Sequence, residues 1–388
     1  MKTLIKNVNV VTRDEVIAST SLLIEDDKIA LIGAADEADV VIDAEGKYLI
    51  PGFVDMHCHG GDGFEFIDAD RDGIAHIADF HLSHGTTTML ATTLASPDSE
   101  RDDAIKNVVC YMRREDNGVI AGLHLEGPWF AKEQCGAQNP VYIRPAKSGE
   151  LEALFDAYPE IKRISAAPEL EGGMELGRVG SARGVLMSAG HTDADFSEIE
   201  EALAAGYTLM THLYSGMKGV TRRNSFRIAG AVEAGLYFDE MNVEIIADGR
   251  HLPYELLRYI YKIKGADRIC LITDAIRAAG MPDGSMTRIG SEESGLRVIV
   301  EDGVAKLTDR QSFAGSTATM DRVYSVMLEA TGCGIVMASR MASTNPARLL
   351  GFDDRGEIAK GRLADLLLVT LENNKINIEK IIKGGKIL

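Results

Sequence analysis

Between Ile50 and Ala279 one hydrophobic pattern repeats: a short apolar run that reads as a β-strand, in most cases followed by a stretch of helical periodicity. The runs are Val54–His59, Thr87–Thr92, Ile120–Glu126, Arg163–Ala167, Val185–His191, Thr208–His212, Val243–Ala247 and Ile269–Asp274. Helical periodicity covers Gly73–His84, Ser99–Arg114, Phe196–Ala205 and Pro253–Ile263. Strands alternating with helices predict a parallel sheet, because parallel neighbours need a long crossover connection. Eight such units predict an α/β fold closed into a (β/α)8 TIM barrel.

The flanks read differently. Leu4–Thr12, Ser21–Glu25, Lys28–Gly33 and Val40–Asp43 are short strand-like runs, separated by turn signals such as Asp26-Asp27 and Glu45-Gly46. Asp365–Thr370 and Ile376–Leu388 are strand-forming too, with Gly384-Gly385 as a turn. The two ends are therefore expected to build one small β-sandwich domain from residues 1–50 and 355–388, with the barrel, 51–354, inserted between them. Thr319–Thr331, Gly334–Met341 and Asn345–Leu350 read as helices leading back to it. A hydrophobic content of 45% over 388 residues supplies the large core this architecture needs.

Charge and cysteine usage exclude several function classes. A net charge of −18 disfavours nucleic acid and anionic membranes as partners. No apolar run reaches the ~18 residues of a membrane span. The segment Met1–Lys6 lacks the apolar core and small-residue cleavage site of a signal peptide. Five cysteines, an odd number without a CxxC pair, fit free thiols in a reducing, cytoplasmic setting.

The chemistry gathers where the predicted strands end, which is where a barrel of this type places its active site. His57-Cys58-His59 ends the first strand, and residues two apart on a strand point the same way, so both imidazoles can reach one ion while Cys58 packs on the other side. Glu126 ends the third strand, where a buried carboxylate needs a cation or a proton; His124, two residues earlier, reads as structural. His191 and His212 end the fifth and sixth strands as neighbours. Neutral imidazoles with carboxylate suit zinc, and equally ferrous iron, manganese or cobalt, in one or two ions per chain. Asp274, at the end of the eighth strand, is placed to take a proton from water and pass it to a leaving group. His76, His81 and His84 share a helix and read as surface residues, and Trp129 is suited equally to stacking on a ligand ring and to core or lid packing.

These residues lie in the segments PGFVDMHCHG (51–60), HLEGP (124–128), GHTDA (190–194), THLYSGM (211–217), IIADGRH (245–251), ITDA (272–275), AGS (314–316) and GEIAKGRLADL (356–366). In them the chain resembles the amidohydrolase superfamily, and within it the N-acetylglucosamine-6-phosphate deacetylases, over nearly its whole length. No lysine ends the fourth strand, where many amidohydrolases carry a carboxylated one, and Glu126 stands in its place. The resemblance implies metal-dependent hydrolysis of the acetamide of N-acetyl-D-glucosamine 6-phosphate in amino-sugar catabolism. Glu126, His191 and His212 would hold the main ion, His57 and His59 a second, and Asp274 would carry the proton. It further implies a substrate site from Gln138, Ser215, Gly216, His251, Ala314 and Gly315, and a homodimer in which Arg223 reaches the neighbouring site. Gln138 and Ser215-Gly216 stand where many members carry His and Asn-Ala, which leaves the galactosamine epimer open. A cyclic-amide hydrolase or nucleobase deaminase, or a metal-free binding module on the same scaffold, are the rival readings.

Overall fold

A computed structural model of the protein describes residues 1–35, 38–114 and 118–388. Eight parallel strands follow one another around a ring: Phe53–Cys58, Thr86–Thr93, Ile120–Glu126, Ile161–Ala166, Leu186–Ala189, Tyr207–Met210, Asn242–Ile246 and Ile269–Ile272. Each pairs with its sequence neighbour in parallel register. The ring closes between the last strand and the first, where Asp274 N–H donates to the His57 carbonyl (2.9 Å) and His59 N–H donates to that of Ala275 (2.8 Å). Every residue of the first, second, seventh and eighth strands is buried. Helices cover the outside of the ring and side chains fill its inside, so these strands need apolar residues on both faces.

The expected helices appear at Arg71–Ser83, Asp98–Met112, Phe196–Ala204, Tyr254–Lys264 and Met320–Thr331. Three more, Glu150–Ala157, Gly173–Ala182 and Ala231–Tyr237, were not expected. Gly173–Ala182 carries glycines that lower helix propensity, and packing demands them. A Cβ on Gly177 would stand 2.5 Å from the Tyr207 ring, and one on Gly180 2.1 Å from Met187 Sδ. The expected helix Gly334–Met341 stops at Ser339 and continues as a π-helical turn, Arg340–Thr344, into Asn345–Leu349.

The two ends of the chain share a second sheet of eight strands. Its central joint sets Tyr48–Pro51 antiparallel to Leu366–Glu372, with Ile50 opposite Leu367. Tyr48–Pro51 is only four residues long and ends in proline, which hid it as a strand in the sequence. Lys2–Val11 lies on its other side, and an apolar cluster of Ile5, Val8, Val10, Leu22, Leu49, Leu366 and Leu368 joins the two chain ends. A three-stranded sheet, Met286–Ile289, Leu296–Glu301 and Val304–Leu307, is inserted after the eighth barrel strand and packs on Ile276, Ala278 and Ala314. Among the described residues no helix is long and apolar enough to cross a membrane.

The floor of the barrel is tied to the final helices by Asn345, whose buried amide donates to the carbonyls of Ala266 and Ile269, both at 2.7 Å. Asn345→Ala leaves two buried carbonyls short of a donor, at a cost of about 1–3 kcal/mol. The expected result is a lower thermal midpoint with the metal content and kcat little changed.

Candidate metal centre

The expected strands overrun the observed ones by two residues at three places, and there the overrun is the site. The fifth, sixth and eighth ladders stop at Ala189, Met210 and Ile272, while His191, His212 and Asp274 follow in left-handed backbone with φ of 46°, 27° and 51°. Non-glycine residues adopt this region at a cost and chiefly where surrounding structure holds them in it. The turn redirects each side chain from the barrel wall toward the central axis. His57 and His59 reach the same place from the first strand by simple alternation, while Cys58 turns away to lie 3.2 Å from His81 Nε2.

The buried Glu126 carboxylate is the common neighbour. Its Oε1 lies 3.0 Å from His212 Nε2, 3.3 Å from His191 Nε2 and 3.4 Å from His57 Nε2, and its Oε2 lies 3.3 Å from His59 Nε2. Asp274 Oδ1 sits 3.3 Å from His57 Nε2 and 3.2 Å from His59 Nε2. Three overlapping sets result, each with its ligand atoms within 4.8 Å of one another: Glu126 with His191 and His212, Glu126 with His57 and His59, and Asp274 with His57 and His212. Glu126 belongs to two of them.

The far side of each ring shows whether a cation fits. His191 Nδ1 donates to the Gln134 carbonyl (2.8 Å), and His212 Nδ1 to that of Ser215 (3.1 Å). His57 Nδ1 faces Glu244 Oε2 at 3.4 Å. A neutral imidazole has one N–H, and in these three it is spent on the far acceptor. Each Nε2 then presents a lone pair to the lone pairs of Glu126, an arrangement that needs positive charge between them. Burial disfavours charge on His57 and His59, yet Asp274 and Glu126 outweigh it and push their pKa up to about 9 and about 10. Burial likewise works against the charge on Glu126, but His57, His191 and His212 hold it well below the usual carboxylate range. Asp274 is lowered too, against burial, by His57 and His59. A divalent ion meets the same charge balance with the imidazoles neutral, and imidazole nitrogens backed by carbonyls and a carboxylate are what such ions prefer. His59 differs: its Nδ1 is buried without a partner.

A cavity of about 190 Å³ opens above this cluster. Ser215, Gly216, His251 and Gly315 line it with His59, Glu126, His191, His212 and Asp274. His251 Nδ1 is engaged by Asp248 Oδ2 at 2.9 Å, so Nε2 is its ring nitrogen left for a ligand. Ala314 is fully buried behind Gly315 and does not line the cavity. Gln138 does not line it either: its Oε1 accepts the Ala95 N–H (2.8 Å) and its Nε2 donates to Glu126 Oε2 (2.5 Å). The glutamine thus orients the carboxylate rather than facing the cavity. Arg223 lies on an exposed hairpin, Thr221–Arg223 with Phe226–Ile228, and donates to Asp195 Oδ2 at 3.2 Å, away from the cavity of its own chain. Gly136 and Ala137 line the cavity as well, and so do Ile289, Ser312 and Phe313 of the inserted sheet and its return loop, which no motif announced. One expectation is corrected and one alternative decided: His81 is buried, donating to the Gly60 carbonyl from Nε2 at 2.9 Å, and Trp129, open between stacking and packing, is a core residue whose Nε1 donates to Glu150.

Comparison with known proteins agrees with this geometry. The family model described as "Amidohydrolase family" matches residues 48–388. The chain is 34% identical over 393 aligned positions to an N-acetylglucosamine-6-phosphate deacetylase of Lysinibacillus sphaericus, covering 99% of this chain and 97% of that protein. It is 33% identical to an N-acetylgalactosamine-6-phosphate deacetylase of Escherichia coli O157:H7 over 84% of this chain and 85% of that one. The crystal structure of the N-acetylglucosamine-6-phosphate deacetylase of Thermotoga maritima superposes with a TM-score of 0.88, at 33% identity and 99% coverage of both chains.

Gly216 tests how tightly the ligands are backed. Its φ is +57°, and a Cβ there would stand 2.7 Å from His191 Nδ1 and 3.0 Å from the Gln134 carbonyl that the ring uses. Gly216→Ala is expected to lower the divalent metal retained after dialysis by about tenfold or more, the usual cost of a lost ligand support, as read by elemental analysis.

Proposed function

We propose, since the chain belongs to the amidohydrolase family, that it is a divalent-metal-dependent deacetylase converting N-acetyl-D-glucosamine 6-phosphate and water to D-glucosamine 6-phosphate and acetate. One observation carries the hydrolase reading: four imidazole Nε2 atoms and Asp274 Oδ1 converge around Glu126 at the floor of a cavity. The relatives named above supply the substrate. Residues 51–354 form the catalytic unit in this reading, and 1–50 with 355–388 an accompanying β-domain.

Glu126, His191 and His212 would hold the main ion, and His57 and His59 a second one with Glu126 shared. Zinc suits this donor set best, with ferrous iron, manganese and cobalt compatible with it. An ion held there supplies Lewis acidity toward the amide carbonyl and toward water. The chain's own residues do the rest. Asp274 accepts the proton that the attacking water gives up and returns it to the amine nitrogen as the C–N bond breaks. Its depressed pKa keeps it ionised and ready for the first step. Gly216 and Gly315 line the cavity with backbone packed tightly against the residues behind it: a Cβ on Gly315 would meet Ile276 Cγ2 at 2.5 Å and the Asp274 carbonyl at 2.9 Å. Ser215 and His251 line the same wall and are suited to sugar and phosphate oxygens.

The phosphate calls for a cation in a chain of net charge −18. Arg223 is exposed, on a hairpin whose neighbours Val220 and Phe226 are 56% and 75% exposed. A second copy packed on this hairpin would receive Arg223 at its own cavity, so the working unit is a homodimer. The setting is cytoplasmic amino-sugar catabolism. A relative named for the galactosamine epimer, at similar identity, favours a second reading in which that sugar is the substrate.

Acetate release from N-acetylglucosamine 6-phosphate, its galactosamine epimer and unphosphorylated N-acetylglucosamine decides among these. Fast release from the first is expected; preference for the epimer moves the assignment to the second reading, and no release from any by metal-loaded protein overturns both. Asp274→Asn should keep its metal and lose about 10²–10⁴-fold in kcat; a normal kcat removes it from proton transfer. Arg223→Ala should raise KM for the phosphorylated sugar by about ten- to a hundredfold, the worth of a charged hydrogen bond. An equal rise for the unphosphorylated sugar would take it out of the phosphate site.

A further inference from the structure

Beneath the ligand cluster, inside the barrel, lies an ion pair that no solvent reaches. Arg163 on the fourth strand and Glu244 on the seventh are both 0% exposed. The guanidinium grips both oxygens of Glu244, Nη1 on Oε1 and Nη2 on Oε2, the latter at 2.7 Å. Nη1 also donates to the Met56 carbonyl at 3.0 Å. Nη2 faces the hydroxyls of Ser165, Ser188 and Thr211 at 3.3–3.4 Å. Replacing such a pair by well-packed apolar side chains is often neutral or stabilising. Its presence in the barrel interior therefore points to a use other than stability.

That use is visible at Glu244 Oε2. The oxygen that Arg163 holds also faces His57 Nδ1 at 3.4 Å and accepts the backbone N–H of His212 at 3.2 Å. One atom thus touches both halves of the cluster: His57, which pairs with His59, and His212, which pairs with His191. A carboxylate at Nδ1 keeps the ring proton on that side and leaves the Nε2 lone pair toward Glu126. The same oxygen, by taking the His212 N–H, braces the backbone where φ is 27°.

We propose that Glu244 is a positioning residue for the metal cluster, with Arg163 as its clamp. Glu244 sets the tautomer and ring orientation of His57 and holds the turn that presents His212. Arg163 holds Glu244 in place through both of its oxygens. The inference rests on the metal-hydrolase reading, and on nothing about the sugar.

The test uses metal affinity by chelator competition, alongside kcat and KM, in Glu244→Gln and in the double variant R163M/E244M. The double variant removes both buried charges at similar volume, so its thermal midpoint should stay near that of the parent. Its ion at His57 and His59 should bind about 10–100-fold more weakly, with kcat falling and KM for substrate little changed. A folded double variant with parental metal affinity and kcat would show that the pair only fills the barrel, and would overturn the proposal. Nitrogen NMR of labelled histidines in the unmutated, zinc-loaded protein gives a reading that needs no variant to fold. His57 is expected as the Nδ1–H tautomer, and an Nε2–H tautomer overturns the proposal. Failure to bind metal at all overturns the hydrolase reading with it. Metal binding without acetate release removes only the sugar assignment.

Discussion

A carboxylate cut off from water stays ionised only if positive charge comes to it, and Glu126 imposes that condition on the whole upper end of the barrel. Four imidazoles answer it, from the first, fifth and sixth strands, each turning Nε2 toward the same two oxygens. Everything around them serves to keep those nitrogens there. Backbone carbonyls of Gln134 and Ser215 hold His191 and His212 from behind, Glu244 holds His57, and Gln138 holds Glu126 itself. The cluster is built so that a cation is the simplest way to reconcile its lone pairs.

The cost of that construction is met in the barrel frame. Three of the chemical residues stand just past a ladder, in left-handed backbone that few non-glycine residues adopt. The ring closes at the same level: the amides that join the eighth strand to the first belong to Asp274 and His59, so closing the barrel and assembling the site are one event. The polar interior below, with Arg163 and Glu244 at its centre, replaces the apolar filling that barrel strands otherwise carry, and it lies directly under the ligands it steadies.

The wall of the cavity has a different origin. His251, Ser215 and Gly216 come from loops after barrel strands, whereas Ile289, Ser312 and Phe313 come from the sheet inserted after the eighth strand and its return loop. The metal cluster thus rests on rigid strand ends and the substrate wall on connecting segments, the division that lets one barrel serve many substrates. It also fits the relatives' names, which share the deacetylase reaction and differ in the sugar.

Periodicity in the chain was enough to show eight strands with helices after some of them, the shared β-structure of the two ends, and a metal-grade side chain at five strand ends. These follow from local rules: alternation puts His57 and His59 on one side, and apolar runs of strand length need cover on both faces. The resemblance in short motifs added the reaction. Local rules do not reach contacts between distant segments, and there the reading stopped short or erred. Gln138 read as a sugar contact and is held on Glu126 by the distant Ala95 amide; His81 read as a surface residue and is buried. Arg163 and Glu244 carry no motif, because their partnership exists only when the fourth and seventh strands face each other across the ring. Which residues could bind metal was written in the sequence; which atoms aim them was decided only by closure of the barrel, since hydrogen-bond geometry across strands is a property of the folded ring.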